Sequence, residues 1–200
     1  MALTEGQLAS VALLRIGERQ TIDSLDEDTP PARAAKAFFE HSAGLVLERH
    51  WWRFAKRRAA LALSTETRDE WGYTYRLPAD CVTPRFIDPG QRGVPADGRI
   101  PFETELDDSG AGTLLLTDQT NAVLVYTARI LAPLRWSSHF ADAVAWELAA
   151  QLALALPAKP GVGLEMGKKA ATALQAAIAL DLRGNTEDPP PDSALIRARL

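Results

Sequence analysis

The fold is decided by the stretch His139-Phe-Ala-Asp-Ala-Val-Ala-Trp-Glu-Leu-Ala-Ala-Gln-Leu-Ala-Leu-Ala-Leu156. Large apolar side chains recur in it at helical spacing, at Phe140, Val144, Leu148 and Leu152. Alanine fills most other positions, so the polar strip is little more than Glu147 and Gln151. A helix that is apolar on nearly every side is packed on several sides. We therefore predict a helix over 139–156 that has neighbours all around it.

Small side chains on this helix let another backbone approach closely. Two environments satisfy that pattern: the core of a single chain, or a boundary between subunits of an oligomer. The sequence leaves both open. If the boundary is the correct one, the subunit-packing residues are Ala145, Trp146, Ala149 and Ala153.

Start signals and amphipathic patterns predict three further helices. A capping box precedes a helix over 4–16. A threonine followed by two prolines begins a helix over 30–54, because proline already holds the backbone angle of a first helical turn. An amphipathic run that ends at a glycine predicts the last helix over 162–183.

Between about 58 and 131 the apolar period changes to two, which is typical of strands. Clusters of Asp, Ser, Gly and Asn separate the apolar runs and indicate turns. The expected fold class is α+β but mainly helical: a bundle of about four helices with an inserted small antiparallel β-meander. We assign residues 1–184 to this domain and residues 185–200, which include three consecutive prolines, to an extended C-terminal arm.

Composition narrows the function. The 200 residues are 46% hydrophobic and contain one cysteine, so a disulfide framework is excluded. Lys and Arg number 22 against 26 Asp and Glu, for a net charge of -4, which argues against a generally basic nucleic-acid binder. No apolar run reaches the roughly 20 residues that span a bilayer.

The residues that could carry chemistry do not converge in sequence. No metal-ligand spacing and no glycine-rich phosphate loop is present. Ser138, His139 and Asp142 are hydrolase residue types, which leaves a small hydrolase as a weak third hypothesis, but a helix start already requires such residues for capping. We predict a protein that is not an enzyme, with no catalytic, metal-binding or cofactor-binding residue.

The sharpest local signal is the basic aromatic segment, residues 49–58, in which cations alternate with aromatic rings. Such a segment could stack bases and neutralise phosphates. The alternative function is therefore a DNA-binding accessory protein whose contacts, beside Arg49, are Arg53, Lys56, Arg57 and Arg58. Burial of the rings in a core is the competing interpretation.

An ordered set of motifs runs through nearly the whole chain: Ala12-Leu-Leu-Arg-Ile-Gly-Glu18, Ser24-Leu-Asp-Glu27, Trp52-Arg-Phe-Ala55, Trp71-Gly-Tyr-Thr-Tyr-Arg-Leu-Pro-Ala-Asp80 and the closing Asp192-Ser-Ala-Leu-Ile-Arg-Ala-Arg199. In order and spacing the set resembles the head-to-tail adaptor proteins of tailed bacteriophages, the tail tubular protein A family.

The resemblance implies a structural virion protein without catalysis. Adaptors of this family form a dodecameric ring, or connector, between the portal protein and the tail or nozzle protein, and the ring extends the channel through which double-stranded DNA is ejected. The implied location is the neck of the virion, after assembly in the host cytoplasm. No cofactor and no membrane are implied.

The resemblance also implies that the C-terminal arm reaches onto the portal. The family's closing motif often has an aromatic residue where this chain has Ala194. The expected portal-binding residues are therefore Asp192, Leu195, Ile196, Arg197, Arg199 and Leu200.

Overall fold

The computed structural model describes residues 3–90, 99–156 and 160–184. The chain divides into two compact units. The helical unit comprises the described residues up to Ala55 and from Arg129 onward, and the β unit comprises those from Lys56 to Ala128. The C-terminal arm predicted over 185–200 lies outside the described residues.

Four α-helices form the helical unit in the described ranges: α1 (Glu5–Arg15), α2 (Pro30–Glu48), α3 (Ser138–Ala155) and α4 (Val162–Arg183). Side-chain oxygens cap three of them. The Thr4 hydroxyl accepts from the Gln7 amide in a capping box, the Thr29 hydroxyl accepts from the Ala32 amide, and the Ser137 hydroxyl accepts from the Phe140 amide. These caps satisfy backbone donors that a first helical turn leaves without partners.

Helix α3 lies at the centre of the helical unit and packs against α1, α2 and α4. Phe140, Val144, Leu148 and Leu152 are all fully buried. The ring of Phe140 meets Trp52 and Trp136 edge-on, with centroids 4.9 Å apart in both pairs. Such aromatic pairs add about 0.5–1.5 kcal/mol to the free energy gained by burial. The helix that is apolar on nearly every side is thus the centre of this unit's own core.

Helix α2 is shorter than the predicted range of 30–54. It ends at Glu48, and a single 3-10 turn, Arg53–Ala55, follows before the first strand. The residues after Glu48 do not continue the helix because Trp52 packs into the core, where it is fully buried. Burial of a large ring outweighs the small propensity for further helical turns.

Seven strands form the β unit: β1 (Lys56–Ala60), β2 (Ala62–Leu63), β3 (Tyr73–Arg76), β4 (Cys81–Ile87), β5 (Glu103–Leu106), β6 (Thr113–Thr117) and β7 (Val123–Ala128). They make two antiparallel sheets, one in the order β1-β7-β4 and one in the order β2-β3-β6-β5. Strands β1 and β2 belong to different sheets although only Leu61 lies between them.

The expectation of a mainly helical bundle with a small meander is therefore wrong. Over residues 3–90, 99–156 and 160–184 the structure is α+β, 44% helical and 20% strand, with two antiparallel sheets. In a meander each strand pairs with its neighbours along the chain, whereas here β7 pairs with β1 and β4. Period-two patterning marks residues that form strands but carries no information on which strands pair, so it could not predict a second sheet.

Candidate functional site

The aromatic rings of the basic aromatic segment are part of the helical unit's packing. Trp52 is fully buried, and its indole N–H donates to the Val46 carbonyl at 2.9 Å. Phe54 is half-buried against Phe140, with ring centroids 4.8 Å apart, and Trp51 is also half-buried. Base stacking needs an exposed ring face. The competing interpretation, rings buried in a core, describes Trp52.

Arg53, one of the two arginines of this segment in the helical unit, is held by a carboxylate. Asp181 of α4 has a side chain only 8% exposed, and it accepts from Arg53 Nε at 3.3 Å. His50 Nε2 lies 3.1 Å from the other carboxylate oxygen. Removing a buried carboxylate from such a cluster leaves its cationic partner uncompensated. Arg53 therefore has a structural role, tying the end of α2 to α4.

The cations of the segment that belong to the β unit lie on β1 and are exposed. Arg57 pairs with Asp80 at 2.6 Å and Arg58 pairs with Asp88 at 3.0 Å. Lys56, also exposed, is the first residue of the strand. Both carboxylates are partly buried, whereas the side chains of Arg57 and Arg58 are 57% and 60% exposed, so a phosphate could reach the guanidinium groups from solvent. Charge is the one property that these residues offer to a nucleic acid.

The subunit-packing residues are enclosed by the chain itself. Ala145 is 1% exposed and Ala149 is 0% exposed, so neither is available to a second subunit. Trp146 and Ala153 are partly buried against the same core. We therefore correct the subunit-boundary hypothesis at Ala145 and Ala149: the alanines of α3 admit the neighbouring helices of their own chain.

Trp146 is covered by two cations from other helices. The Arg15 guanidinium carbon lies 3.8 Å from its ring centroid, and Lys169 Nζ lies 5.7 Å from it. Arg15 also pairs with Asp142 near the start of α3. Cation–π contacts of this kind contribute about 0.5–1 kcal/mol at exposed sites. The tryptophan thus connects α1, α3 and α4 within one unit.

Of the three residues of the hydrolase hypothesis, Asp142 has a structural partner. The serine that caps α3 is Ser137, which precedes Ser138. Its hydroxyl accepts from the Phe140 amide at 3.2 Å. Asp142 is the partner of Arg15, and His139 is exposed at the start of the helix. A catalytic triad requires a histidine between the nucleophile and the carboxylate, hydrogen-bonded to both. No hydrogen bond joins these three residues in the described part of the chain.

Cys81, at the start of β4, is not activated for nucleophilic chemistry. Burial raises the pKa of its thiol to about 11, and the nearby Asp80 carboxylate acts in the same direction. Thiolates, rather than thiols, are the reactive form.

The Asp80 carboxylate also accepts from the Tyr126 hydroxyl at 2.9 Å. Burial raises the pKa of Tyr126, and this hydrogen bond raises it further.

Neither a metal cluster nor a membrane span emerges from the ranges 3–90, 99–156 and 160–184. Over these residues no group of three or more His, Cys, Asp or Glu is arranged to hold a metal ion. No helix over the same residues is both long enough and apolar enough to cross a membrane.

A concave feature lies in the helical unit, and we call it the acidic groove. Its volume is about 710 Å³, and four pieces of chain line it: the start of α1 at 4–6, the connector at 23–26, one face of α2 at 36–40, and the segment 131–134. Phe39, Leu131 and Pro133 supply apolar lining. The volume is in the range of ligand-binding clefts.

The groove was not predicted from the sequence. The connector between α1 and α2, residues 21–28, contains four acidic residues, and a run of like charge usually faces water. In the structure it folds against α1, where the Ser10 hydroxyl donates to the Ile22 carbonyl and accepts from the Ile22 amide at 2.7 and 2.8 Å. The spacing between Gly6 and Asp23 is so short that a Cβ on Gly6 would lie 2.0 Å from the Asp23 carbonyl oxygen. The available signal for this contact was a glycine, Gly6, upstream of the connector. A glycine in a sequence does not reveal which residue it will contact.

The six residues expected to bind the portal, from Asp192 to Leu200, lie outside the described residues. Comparison with known proteins adds no assignment: no protein-family model matches the chain, and no curated protein matches it.

Proposed function

We propose that this chain is a head-to-tail adaptor of a tailed bacteriophage, a structural protein that forms a ring between the portal and the tail. The observation that carries the proposal is the order of elements. Two α-helices precede the β unit and two follow it among the described residues, and a proline-containing stretch of sequence, residues 185–200, comes after them. The same order is implied by the resemblance of the sequence motifs to the tail tubular protein A family.

A second observation supports an assembled state. Leu154 near the end of α3 is 80% exposed and Leu164 near the start of α4 is 70% exposed. The two ends lie together, since a Cβ on Gly163 would be 3.1 Å from Leu154 Cδ2. Adjacent exposed leucines are the kind of apolar surface that contacts between subunits cover. In the proposed ring this helix–helix corner, rather than Ala149, is the packing surface.

The mechanism of such an adaptor is geometric. The ring seats on the portal, the arm binds the portal through its apolar and basic residues, and the opposite side presents a platform to the tail. The net charge of -4 per chain adds around a ring, and like charge along a channel reduces adhesion of the DNA phosphates that pass through it.

The experiment combines the purified full chain with portal-containing particles and examines the particles by negative-stain electron microscopy. We expect an added ring at the portal vertex. Deletion of residues 186–200 should abolish attachment while circular dichroism still shows a folded helical protein, because the deletion begins after α4 has ended. Particles that never acquire a ring with the full chain would refute the adaptor function, and undiminished attachment of the truncated chain would refute the role of the arm.

A pair of variants distinguishes the effect of shortening the chain from the effect of losing apolar side chains in the arm. The double variant Leu195→Asp, Ile196→Asp keeps the length of the chain and removes two apolar contacts, whereas Thr186→Asp adds charge before the proline stretch. We expect the first to weaken attachment and the second to leave it unchanged. Equal attachment by both would exclude the apolar arm residues as portal contacts.

A further inference from the structure

The acidic groove has an excess of negative charge. Of its lining residues, four are carboxylates, namely Glu5, Asp23, Asp26 and Glu40, and one is an ammonium, Lys36. Lys36 is already paired with Asp26 at 2.7 Å. Like charges around a concave surface focus their field and favour a cationic occupant.

Two of these carboxylates have no ionic partner within the described residues. Glu40 pairs with Arg129 at 3.0 Å, but no ion pair is formed by Glu5 or Asp23 in those ranges. Glu5 lies in the first turn of α1, where the helix dipole favours a negative charge. The carboxylate of Asp23 is exposed and has no such compensation. An occupant that brought one or two cations to this side of the groove would complete the pairing.

The groove also offers apolar surface. Leu25 and Leu131, both half-buried, line it, and so does Leu134, which is 72% exposed. A free ion or a purely polar peptide would leave this surface in water. The chemistry that fits is a short segment with apolar side chains on one side and basic side chains on the other.

The chain itself contains such a segment. Residues 195–200 read Leu-Ile-Arg-Ala-Arg-Leu, with two arginines and no acid. If the segment binds in an extended form, alternate side chains point to opposite sides. Ile196, Ala198 and Leu200 would then face one way, toward the apolar lining, and Arg197 and Arg199 the other way, toward the carboxylates.

The segment is long enough to reach the groove of its own copy. Helix α4 ends beside the end of α2, since Asp181 contacts His50 and a Cβ on Gly184 would meet the Arg53 guanidinium at 2.1 Å. From His50 back to Glu40 the distance along α2 is about 15 Å, at about 1.5 Å per residue. The ten residues 185–194 can span up to about 33 Å when extended.

We propose that the acidic groove is the docking surface for residues 195–200 of the same chain. The free protein then keeps its basic apolar terminus covered, and Arg197 and Arg199 pair with Asp23 and Glu5. The inference does not rest on the adaptor function, because it concerns a contact within one molecule.

The test is disulfide trapping in the full-length chain. Cys81→Ser removes the native thiol, and Leu134→Cys with Ala198→Cys places one thiol at the edge of the groove and one in the segment. Under mild oxidation of a dilute sample we expect a disulfide within one chain, seen as faster migration on a non-reducing gel and confirmed by mass spectrometry. The matched control pairs Ala198→Cys with Leu164→Cys, which is as exposed as Leu134 but lies at the start of α4.

Charge reversal tests the specificity. Arg197→Glu with Arg199→Glu should slow trapping about tenfold, and Glu5→Arg with Asp23→Arg should restore it in that background. Trapping at the same rate with Leu164→Cys, or no effect of charge reversal, would overturn the proposal. Disulfides formed only between chains would overturn the assignment to the same copy. Portal attachment is measured separately, so failure here leaves the adaptor function standing.

Discussion

The helical unit and the β unit bury their side chains in different ways. In the helical unit one cluster extends through all four helices and includes the large rings of Trp52 and Phe140. In the β unit burial is concentrated in β6 and β7, which are almost continuously buried, whereas β1 is largely exposed. One unit therefore depends on a shared core, and the other depends on two central strands covered on both faces.

This difference shows where each unit is sensitive to substitution. A strand buried on both faces appears in the sequence as an unbroken apolar run rather than an alternation. Leu114-Leu-Leu116 and Val123-Leu-Val125 are such runs. In the helical unit the buried positions come from all four helices and form one cluster. A single large side chain in that cluster can therefore contact more than one helix. We expect the largest losses of stability there.

Trp52→Ala tests the shared core with the largest expected effect. The ring is fully buried, makes edge-on contacts with Phe140, and donates a hydrogen bond to Val46. Its removal should lower the free energy of unfolding by about 3–5 kcal/mol, measured by urea denaturation. Leu182→Ala, at a 52% exposed position of α4, is the control and should change it by less than about 0.5 kcal/mol. Similar losses in both variants would contradict a single shared core.

Two glycines of the helical unit sharpen the comparison, because substitution by alanine is expected to change the free energy of unfolding in opposite directions at the two positions. Gly6→Ala places a Cβ against the Asp23 carbonyl oxygen and should lower the free energy of unfolding by about 1–3 kcal/mol. Gly44→Ala, in α2, meets nothing within 4 Å and should raise it by about 0.5–1 kcal/mol through helix propensity. Thermal and urea unfolding of both variants check the signs. A neutral Gly6→Ala would mean that the connector does not pack closely on α1.

Tyr126→Phe tests the β unit, with a smaller expected effect than Trp52→Ala or Gly6→Ala. Its hydroxyl donates to Asp80 at 2.9 Å, in the ion pair that Asp80 also makes with Arg57. Loss of this hydrogen bond should cost about 0.5–1.5 kcal/mol. Tyr73→Phe is the matched control, since Tyr73 is more exposed and no hydrogen bond of its hydroxyl is formed within the described residues. Equal unfolding free energies for both variants would remove Tyr126 from the interactions that stabilise the β unit.

Several local features follow from the sequence. The caps at Thr4 and Thr29 follow from residue types that satisfy free backbone donors, and the predicted range 162–183 is the range of α4. What could not be predicted depends on distant partners. Helix α2 ends where it does because Trp52 packs into a core formed by other segments. The carboxylate that pairs with Arg53 belongs to Asp181, 128 residues further along the chain.

The acidic groove illustrates the same limit. Its carboxylates come from three separate segments, and only folding brings Glu5, Asp23 and Glu40 to one cavity. Composition counts these charges but does not bring them together. The basic aromatic segment shows the reverse error, since neighbours in sequence suggested a shared surface, whereas Trp52 enters the core and Arg57 lies on an exposed strand.

By itself the sequence determined the local structure: the starts of the helices, the caps at Thr4 and Thr29, the stretch of strands between the helices, and the apolar character of α3. These properties depend on residues a few positions apart, where backbone geometry and side-chain period act directly. Only the tertiary structure decided the two sheets, the enclosure of Ala145 and Ala149 in the chain's own core, and the cavity among four segments. Each of these features depends on which distant segments pack together. The free energy that favours one packing over another comes from burial of apolar surface between segments, so it cannot be assigned to any one segment.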